Sequence, residues 1–515
     1  MAVRQYIGAR YVTKIYENSL DSSSAEWEAS VTYEPLTLVT YNYSSYLSKK
    51  EVPATVGNPA ANPAYWVVTG AYNGQIATLQ AEIDAINALL IRSYPTTSEL
   101  AAADLSAGDY AQTLGYYSEN DGGDGFYTIS VTPGTINVPL SNGLYANLDY
   151  GETLHVKQAG AVGDGVTDDL AAFTAALSAA KDVVVDSGTY ALSDDITISR
   201  YQTLRGVSEV VTATDPELKF TSGGVVIPNS NCTVKNLAIR TTSSDIGVNI
   251  DASVNGSVEF VTVENLYIKD ASIGLSADGG SVWMLKLDSI RCNDCAKGMY
   301  FNGVHPCAII TNCYMHKCKP SILDINGSRL SFDSCNFGYY DTGKIVIQGG
   351  SLVTFKNCNF ECDEHISTNT MISVSSDSVT FKDCAFVLNQ AAASTVISIY
   401  SGGKAILFET CNVSYNAAHD SSAEFFNSAQ VHGHQYGNIV IGKGCYGIKR
   451  LTTPGTSIRA YFLDLDNSNV PHIYNVSSLD SAKLNSGEIF YSDKNGLLCY
   501  YNGTNVVDMQ GNTIT

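Results

Sequence analysis

Two pairs of ionisable residues in the second half of the chain have a spacing that suits acid–base chemistry. Asp288 and Asp333 occupy equivalent positions two repeats apart in a recurring pattern, and His316 and Glu361 form a second such pair. In a stack of parallel strands, positions two repeats apart lie about 9–10 Å from each other on one face. Two carboxylates near that separation can hydrolyse a glycosidic bond, one as general acid and the other as base. Asp288, Asp333 and Glu361 are therefore the predicted catalytic residues.

The repeat that aligns these residues is built around a polar anchor. Apolar and polar residues alternate before each anchor and the apolar residues resume after it, and successive anchors lie 22 to 29 positions apart. Alternation with a period of two indicates strands with one buried face, and a repeat of this length is typical of a stacked β-solenoid. Each anchor suits a tight corner, because its side chain can hydrogen-bond to nearby backbone. The anchors are Asn236, Asn265, Ser289, Asn312, Ser334, Asn357, Asp383 and Thr410.

The residue after each anchor belongs to a predicted interior column of medium-sized apolar side chains. Cysteine counts here as a small hydrophobe, so the thiols are predicted to be reduced. The spacing of Cys292, Cys295, Cys313 and His316 also fits a zinc site, but Cys313 is already needed in the interior. No metal and no other cofactor is expected. The column consists of Leu237, Leu266, Ile290, Cys313, Cys335, Cys358, Cys384 and Cys411.

Composition and charge limit the classes of partner. At 515 residues the chain is too long for one core, and a net charge of −21 with a pI near 4.7 argues against nucleic acid, because an acidic surface repels phosphates. The sequence has no run of eighteen apolar residues and its first residues lack the apolar segment of a signal peptide, so no membrane insertion is expected. Lys356 and Lys382 share a register and predict a small positive stripe that could meet an anionic chain.

Changes in the pattern of apolar and polar residues along the chain predict five regions. Residues 1–70 contain short alternating strands and residues 71–94 a helix, and residues 95–154 form a small β module. Residues 155–450 form a parallel β-helix, although the repeat itself breaks after residue 412, and residues 451–515 form a C-terminal β domain with three short strands in a meander.

The predicted helix carries a heptad seam with mainly isoleucine at both core positions. This choice favours trimers or tetramers over dimers. The alternative is an amphipathic helix that packs on its own chain. The seam consists of Ile76, Leu79, Ile83, Ile86 and Leu90.

A second helix is predicted from about Leu170 to Ala180, with Thr167 or Asp168 as its N-cap. An amphipathic helix at this place would cover the first coil of the solenoid, whose apolar interior is otherwise exposed. The nearby carboxylates Asp164, Asp168 and Asp169 are interpreted as a turn and a helix cap rather than as a metal site.

Tyrosines at outward positions form a second set of candidate site residues. Aromatic faces pair with the apolar faces of sugar rings, although tyrosine is also common on β surfaces. The predicted glycan-binding residues of the solenoid are Tyr314, Tyr339, Tyr340 and Tyr415. In the N-terminal region, the alternative sugar-binding residues are Tyr33, Tyr41, Tyr46 and Trp66.

Taken together, these motifs resemble those of bacteriophage tail spikes and tail fibres with a pectate-lyase-like, right-handed parallel β-helix. The most specific string is GAVGDGVTDDLAAF at residues 160–173, which is similar to the segment that leads into the capping helix of that superfamily. The string GYYSENDGGDGFYTI at residues 115–129 is similar to a short module that precedes such helices in phage spikes. The first 70 residues look like small virion modules, distantly similar to chitin-binding modules, and the C-terminal residues look like a phage fibre ending.

The resemblance implies an all-β homotrimer in the virion, assembled in the host cytoplasm. Residues 1–70 would attach it to phage tail or neck and portal-proximal proteins, and the β-helix and C-terminus would recognise a host surface polysaccharide. One alternative is a polysaccharide depolymerase, either a glycoside hydrolase or a lyase, and another is a non-catalytic head fibre or decoration protein. Eight or nine recognisable coils is short for a polysaccharide-degrading spike.

Overall fold

The fold is described from a computed structural model. It describes residues 14–16, 25–71, 73–89, 91–208, 216–305, 308–339, 343–349, 351–362, 371–375, 378–388, 397–399, 405–415, 426–427, 437–441, 445, 458–462, 489–492, 497–501 and 506–508. The chain divides into two compact units, residues 1–92 with 105–110, and residues 93–104 with 111–515.

The first unit contains a four-stranded sheet of order β1-β2-β3-β4 and one helix. Its core is aromatic, with Tyr33, Tyr46 and Trp66 each at most 7% exposed beside Val39 and Val52. The alternative that these three aromatic residues bind sugar is therefore wrong, because their rings are buried in the core of this unit. The elements are β1 (Lys14–Ile15), β2 (Thr37–Tyr41), β3 (Ser44–Ser48), a short 3-10 turn (Pro59–Ala61), β4 (Trp66–Ala71) and α1 (Asn73–Leu89).

A five-stranded sheet of order β5-β6-β7-β9-β8 precedes the solenoid. The Asp121 carboxylate accepts hydrogen bonds from the backbone N–H groups of Tyr116, Tyr117, Ser118 and Gly123, which fixes the glycine-rich turn. Lys157 Nζ donates to the Asp121 carbonyl at 3.0 Å and ties this turn to the start of the solenoid. The elements are β5 (Ile91–Tyr94), α2 (Thr97–Ala101), β6 (Tyr110–Thr113), β7 (Gly125–Ser130), β8 (Asn137–Pro139) and β9 (Tyr145–Asp149).

The rest of the second unit is a stack of coils with parallel strands, so the predicted all-β chain with a parallel β-helix is confirmed. One sheet has 21 strands and a second has ten, and each strand pairs in parallel with its equivalent in the next coil. Pairing continues through β41 and β42 to Phe462, past the predicted boundary at residue 450.

The solenoid begins with β10 (Thr153–His155), a 3-10 turn (Val156–Ala159), β11 (Asp164–Asp168), α3 (Leu170–Ala179), β12 (Asp182–Val185), β13 (Thr189–Leu192), β14 (Ile196–Thr197), β15 (Thr203–Gly206), β16 (Glu217–Phe220) and β17 (Val225–Ile227). It continues as β18 (Thr233–Arg240), β19 (Ile246–Asp251), β20 (Ser257–Glu259), β21 (Thr262–Lys269), β22 (Ile273–Asp278), β23 (Ser281–Trp283), β24 (Lys286–Asn293), β25 (Lys297–Asn302), β26 (Ala308–Thr311), β27 (Tyr314–His316) and β28 (Ser321–Asn326).

The later strands are β29 (Arg329–Asp333), β30 (Asn336–Tyr339), β31 (Lys344–Gln348), β32 (Leu352–Lys356), β33 (Asn359–Cys362), β34 (Ile372–Val374), β35 (Ser378–Lys382), β36 (Ala385–Leu388), β37 (Ile397–Ile399), β38 (Ala405–Glu409), β39 (Asn412–Tyr415), β40 (Phe426–Asn427), β41 (Gly437–Ile441) and β42 (Ile458–Phe462). A separate antiparallel sheet near the C-terminus consists of β43 (Ile489–Ser492), β44 (Leu497–Tyr501) and β45 (Val506–Asp508), in the predicted meander order.

All eight polar anchors form corners, as predicted. Each has a positive φ, between +50° and +59°, which is the left-handed region that most residues avoid. Side chains then bond from one corner to the next: Asn265 Nδ2 donates to Asn236 Oδ1 at 3.0 Å, and Asn357 Nδ2 donates to Asp333 Oδ1 at 3.0 Å. The anchors therefore both turn the chain and hold neighbouring coils in register.

The predicted interior column is also confirmed, since every member from Leu237 to Cys411 is at most 2% exposed. Its cysteines are free thiols. Beside it, aromatic rings stack from coil to coil at the strand spacing: Phe355 lies 5.1 Å from Phe332 and 5.2 Å from Phe381, measured between ring centroids. Like side chains stack on like because equivalent positions repeat along the axis.

Helix α3 covers the first coil, and its buried Phe173 packs edge-on against Tyr190 of β13. Its N-cap is Asp169, not Thr167 or Asp168, because residues 164–168 are extended and pair with β13. The buried Asp169 carboxylate accepts from the N–H groups of Val162 and Gly163, at 2.6 and 3.1 Å. The carboxylates of Asp164, Asp168 and Asp169 all accept hydrogen bonds from nearby backbone N–H groups, which agrees with their interpretation as turn and cap residues.

The left-handed backbone of Asn357 predicts that glycine is a better replacement there than alanine. Asn357→Ala should destabilise the protein by about 1 kcal/mol more than Asn357→Gly, because alanine avoids positive φ and glycine does not. Both variants lose the bond to Asp333, so the comparison isolates the backbone. Thermal unfolding measured at one scan rate gives the order.

The control for this corner is Asn359, two residues later in β33. There Gly should be the worse substitution, because glycine weakens a strand interior. The same order of stability at both positions would contradict the assignment of Asn357 as a left-handed corner.

A second prediction concerns Asp333, whose pKa is lowered mainly by the hydrogen bond from Asn357, with help from Ser334 and Lys356. A lowered folded-state pKa means that the carboxylate stabilises the fold above about pH 4 and loses this effect as the pH falls through the folded pKa. Asp333→Asn should therefore lower the melting temperature most near pH 7, and the difference from the unsubstituted protein should shrink below about pH 4.

The matched control for Asp333 is Asp104→Asn, which removes one negative charge at an exposed position. It should leave the melting temperature nearly unchanged at every pH. A melting-temperature difference for Asp333→Asn that stays constant from neutral to acidic pH would refute the electrostatic role of this carboxylate.

Candidate functional site

Asp288 and Asp333 lie in one outward column, two coils apart, with Thr311 between them. Asp288 accepts hydrogen bonds from Thr311 Oγ1, from Asn312 Nδ2 at 2.9 Å and from Ser289 Oγ at 3.4 Å. Asp333 accepts from Asn357 Nδ2 at 3.0 Å, Ser334 Oγ at 2.9 Å and Lys356 Nζ at 3.2 Å. The two residues are two coils apart, as predicted, and both carboxylates accept hydrogen bonds from corner residues.

These contacts determine whether each carboxyl group favours its charged or its protonated form. Partial burial raises the pKa of Asp288, but the hydrogen bonds from Thr311, Asn312 and Ser289 together outweigh it and the net pKa is lowered. The pKa of Asp333 is lowered as well, so both groups favour the charged form. A general acid for glycoside cleavage needs the opposite shift. A catalytic role for this pair stays a prediction, and the contacts of both residues are those of corner residues.

The predicted shared register of Lys356 and Lys382 is present, but both ammonium groups form ion pairs. Each is paired with an acid in an adjacent coil: Lys356 Nζ lies 3.2 Å from Asp333, and Lys382 Nζ lies 3.2 Å from Glu409. The two adjacent lysines are flanked in this column by Asp333 on one side and Glu409 on the other, which weakens their attraction for an anion.

A different outward surface brings the other candidates together. We call it the outer strip; it spans β21, β24, β27, β30 and β33 in two parallel columns beside the interior cysteines. The first column consists of Tyr267, Arg291, Tyr314, Asn336 and Asn359. The second consists of Lys269, Asn293, His316, Gly338 and Glu361.

His316 stands at the centre of the outer strip. Its ring stacks on that of Tyr314, with centroids 5.6 Å apart and planes 13° apart, and its Nδ1 lies 3.2 Å from Asn293 Oδ1. A Cβ built on Gly338 would lie 2.9 Å from His316 Cδ2, so no side chain fits there unless the imidazole moves. Gly338 is buried, and its missing side chain lets the His316 ring lie over it. His316 and Glu361 lie two coils apart, as predicted.

The neighbouring column offers hydrogen-bonding groups to the same surface. The buried Oδ1 of Asn336 has no hydrogen-bond partner among the described residues, and Tyr314 is 37% exposed. An unsatisfied buried acceptor is rare enough in proteins to need an explanation, such as a water or a ligand.

Of the four tyrosines predicted to bind glycan, only Tyr314 has a described side chain. Tyr339 and Tyr415 end β30 and β39, and their side chains, like the whole of Tyr340, lie outside the described residues. Their assignment stays a prediction.

A second exposed surface, the corner stripe, is largely apolar. It consists of Tyr201, Phe260 and Met284, which are 45–58% exposed and have φ between +52° and +62° at equivalent corners; the polar Asn231 holds the same corner in the coil between Tyr201 and Phe260. Trp283 lies beside it and stacks on His305 at 3.9 Å. Bulky residues seldom adopt a positive φ, and apolar patches of this kind are typical of protein contacts.

The zinc alternative finds no support in the geometry. Cys292, Cys295 and Cys313 are interior thiols, and no group of three or more His, Cys, Asp or Glu side chains among the described residues is placed to hold a metal ion. In the same part of the chain, no helix is long and apolar enough to cross a membrane.

Of the outer-strip residues, only Tyr314, His316 and Glu361 were predicted from the sequence as candidates; among those that were missed are Arg291, Asn336 and Gly338. The signal was present, because they lie two or four positions after the anchors Ser289 and Ser334. Aligning those positions from coil to coil would have placed Arg291 next to Tyr314, and Gly338 between His316 and Glu361.

Comparison by sequence finds no relative: no family model and no curated protein matches the chain. Comparison by structure finds phage tailspikes. The enzymatically active domain of tailspike protein 4 from bacteriophage CBA120 matches with a TM-score of 0.53 and 16% identity, over 82% of this chain and 63% of that one.

Two further tailspikes match with lower scores. The tailspike gp49 of Acinetobacter baumannii bacteriophage Fri1, described as a capsular polysaccharide depolymerase, has a TM-score of 0.47 and 13% identity over 80% of this chain and 81% of that one. The gp42 tailspike of Acinetobacter phage vb_AbaP_AS12 has a TM-score of 0.49 and 14% identity over 78% and 79%.

At these identities the shared property is the fold. The chain spans less than two thirds of the CBA120 domain, and what it has in common with that tailspike is the parallel β-helix.

Proposed function

We propose that the protein is a tailspike-type phage appendage that binds a polysaccharide of the host cell surface along the outer strip. The observation that carries the proposal is a tailspike-like β-helix whose outward face presents stacked aromatic rings next to amide and ionisable groups. Carbohydrate sites combine these features, because aromatic faces cover the apolar faces of sugars while polar groups bond their hydroxyls. Five coils give the strip a length of about 19 Å, which suits an extended polymer.

The attachment and assembly of the appendage belong to the same proposal. Residues 1–70 would hold it to the virion, at phage tail or neck and portal-proximal proteins, and the chain would assemble in the host cytoplasm as a homotrimer. Support for a homotrimer comes from α1, where Leu79, Ile83 and Ile86 of the heptad seam are 49–59% exposed. The corner stripe adds a second apolar surface that neighbouring copies could cover. The side chains of Ile76 and Leu90 lie outside the described residues.

Charge placed in the seam tests the trimer. Ile83→Asp should convert the trimer to monomer at micromolar concentration, because three buried carboxylates would meet at the axis. Ala81→Asp, on the opposite face of the same helix, should leave the mass unchanged. Light scattering coupled to gel filtration measures both, and a monomeric unsubstituted protein would refute the proposal.

Cleavage of the polymer is a second candidate function, favoured by an imidazole and a carboxylate in one outward column. His316 and Glu361 lie two coils apart, about 9–10 Å between their Cα atoms, with Gly338 as the residue between them in the column. A carboxylate can activate the water while the imidazole protonates the leaving oxygen, and inverting hydrolases separate their two groups by a similar distance. Of the three predicted catalytic residues, Glu361 is the one that this geometry favours.

Glu361→Gln distinguishes cleavage from binding. In the unsubstituted protein, a bound surface polysaccharide should shorten with time, as seen by size-exclusion chromatography. Glu361→Gln should reduce the rate by about a hundredfold or more and leave binding within about twofold. The paired change Asp288→Asn with Asp333→Asn should spare cleavage.

If cleavage is lost in the double aspartate variant and retained in Glu361→Gln, the catalytic residues are Asp288 and Asp333. No shortening in any variant would leave an adhesin without catalysis.

A further inference from the structure

We propose that the polysaccharide bound by the outer strip is acidic, and that Arg291 binds its anionic group. The inference rests on the proposed function and names the chemistry of its ligand: a two-oxygen anion, as in a sugar carboxylate or a phosphate. The chain as a whole, at −21, repels such polymers, so a local cation has to offset that field.

Arg291 is placed to do so. It lies in β24, is exposed, and stands between Tyr267 and Tyr314 in the first column of the strip. Its guanidinium forms no ion pair with any described residue. Neighbouring cations are already neutralised: Arg240 Nε lies 2.9 Å from Glu217, and Lys269 Nζ lies 3.9 Å from Asp294.

The strip residues next to Arg291 carry no unpaired charge, since its one charged neighbour, Lys269, lies against Asp294. Tyr267 and Tyr314 flank it along the column, and Asn293 follows it two residues later on the same face. Glu361, the one carboxylate of the strip, is three coils away, or about 14 Å. An incoming anion therefore meets one available charge between two aromatic rings.

The guanidinium suits this task better than an ammonium group. Its planar fork donates two parallel hydrogen bonds to a carboxylate or phosphate, and its plane stacks on aromatic rings. The adjacent Tyr314–His316 stack would contact the sugar ring that carries the anion. The strip thus separates an anion-binding end at β24 from the ionisable pair at β27 and β33.

The experiment first identifies the polymer and then alters its charge. Surface polysaccharides extracted from a panel of bacterial strains are immobilised, and the full-length protein is tested for binding to each by biolayer interferometry. Every polymer that binds is tested again after carbodiimide-activated borohydride reduction, which converts carboxylates to alcohols and leaves phosphates intact.

The polymers that bind should be acidic. Reduction should weaken binding at least about tenfold if the anion is a carboxylate, and removal of phosphodiesters should do so if it is a phosphate. Arg291→Gln should weaken binding to the native polymer by a similar factor and reduce the dependence of affinity on salt between about 50 and about 500 mM. Arg291→Lys should bind more weakly than the unsubstituted protein and more tightly than Arg291→Gln, because lysine keeps the positive charge but cannot donate two parallel hydrogen bonds.

The matched control is Arg329→Gln, which removes another exposed arginine of the solenoid away from the strip. It should bind like the unsubstituted protein, and all variants should have the same melting temperature.

Two failures are distinguishable. Binding to a neutral polymer, or binding that Arg291→Gln leaves within about twofold, overturns the acidic ligand and leaves the proposed function intact. If no polysaccharide in a panel that contains the phage's own host strain is bound, the proposed function fails and the inference fails with it.

Discussion

Register between coils is the constraint on which the rest of the structure depends. A coil of this solenoid cannot bury its apolar face alone, so every strand takes its hydrogen bonds and its packing from the coils above and below. The in-register pairing of β29, β32, β35 and β38 stacks Phe332, Phe355, Phe381 and Phe408 on one another at about the strand spacing. A shift of one residue would turn every interior ring outward.

The same register explains where chemistry is and is not available on the outside. Equivalent outward residues are neighbours, and the fold uses this to cancel charge: Lys356 meets Asp333, and Lys382 meets Glu409. Carboxylates at corners are likewise occupied by amides of the next coil. Ligand binding is thus expected where such pairing lapses, as it does at Arg291, which forms no ion pair with any described residue.

Much of the fold follows from the sequence, because register repeats along the chain. The eight anchors, the interior column and the covering helix could all be placed from alternation and spacing. The contacts of Asp288, Asp333 and the two lysines could not be predicted. Spacing places a residue in a column but does not identify the side chain with which it forms a hydrogen bond or an ion pair. Tyr33, Tyr46 and Trp66 show the same limit: an aromatic-rich module looks sugar-binding in sequence, whereas a small unit needs those rings for its core. Gly338 was overlooked because its effect lies in the side chain it lacks.

The central claim is that the outer strip of the β-helix holds the polysaccharide. A cryo-electron microscopy structure of the full-length protein with a bound fragment of its polysaccharide tests this most directly. The account predicts density for sugar rings against Tyr314 and His316, running along the coils between Arg291 and Glu361. Sugar density confined to the N-terminal module of residues 25–71, or to a face of the solenoid without these residues, would contradict it.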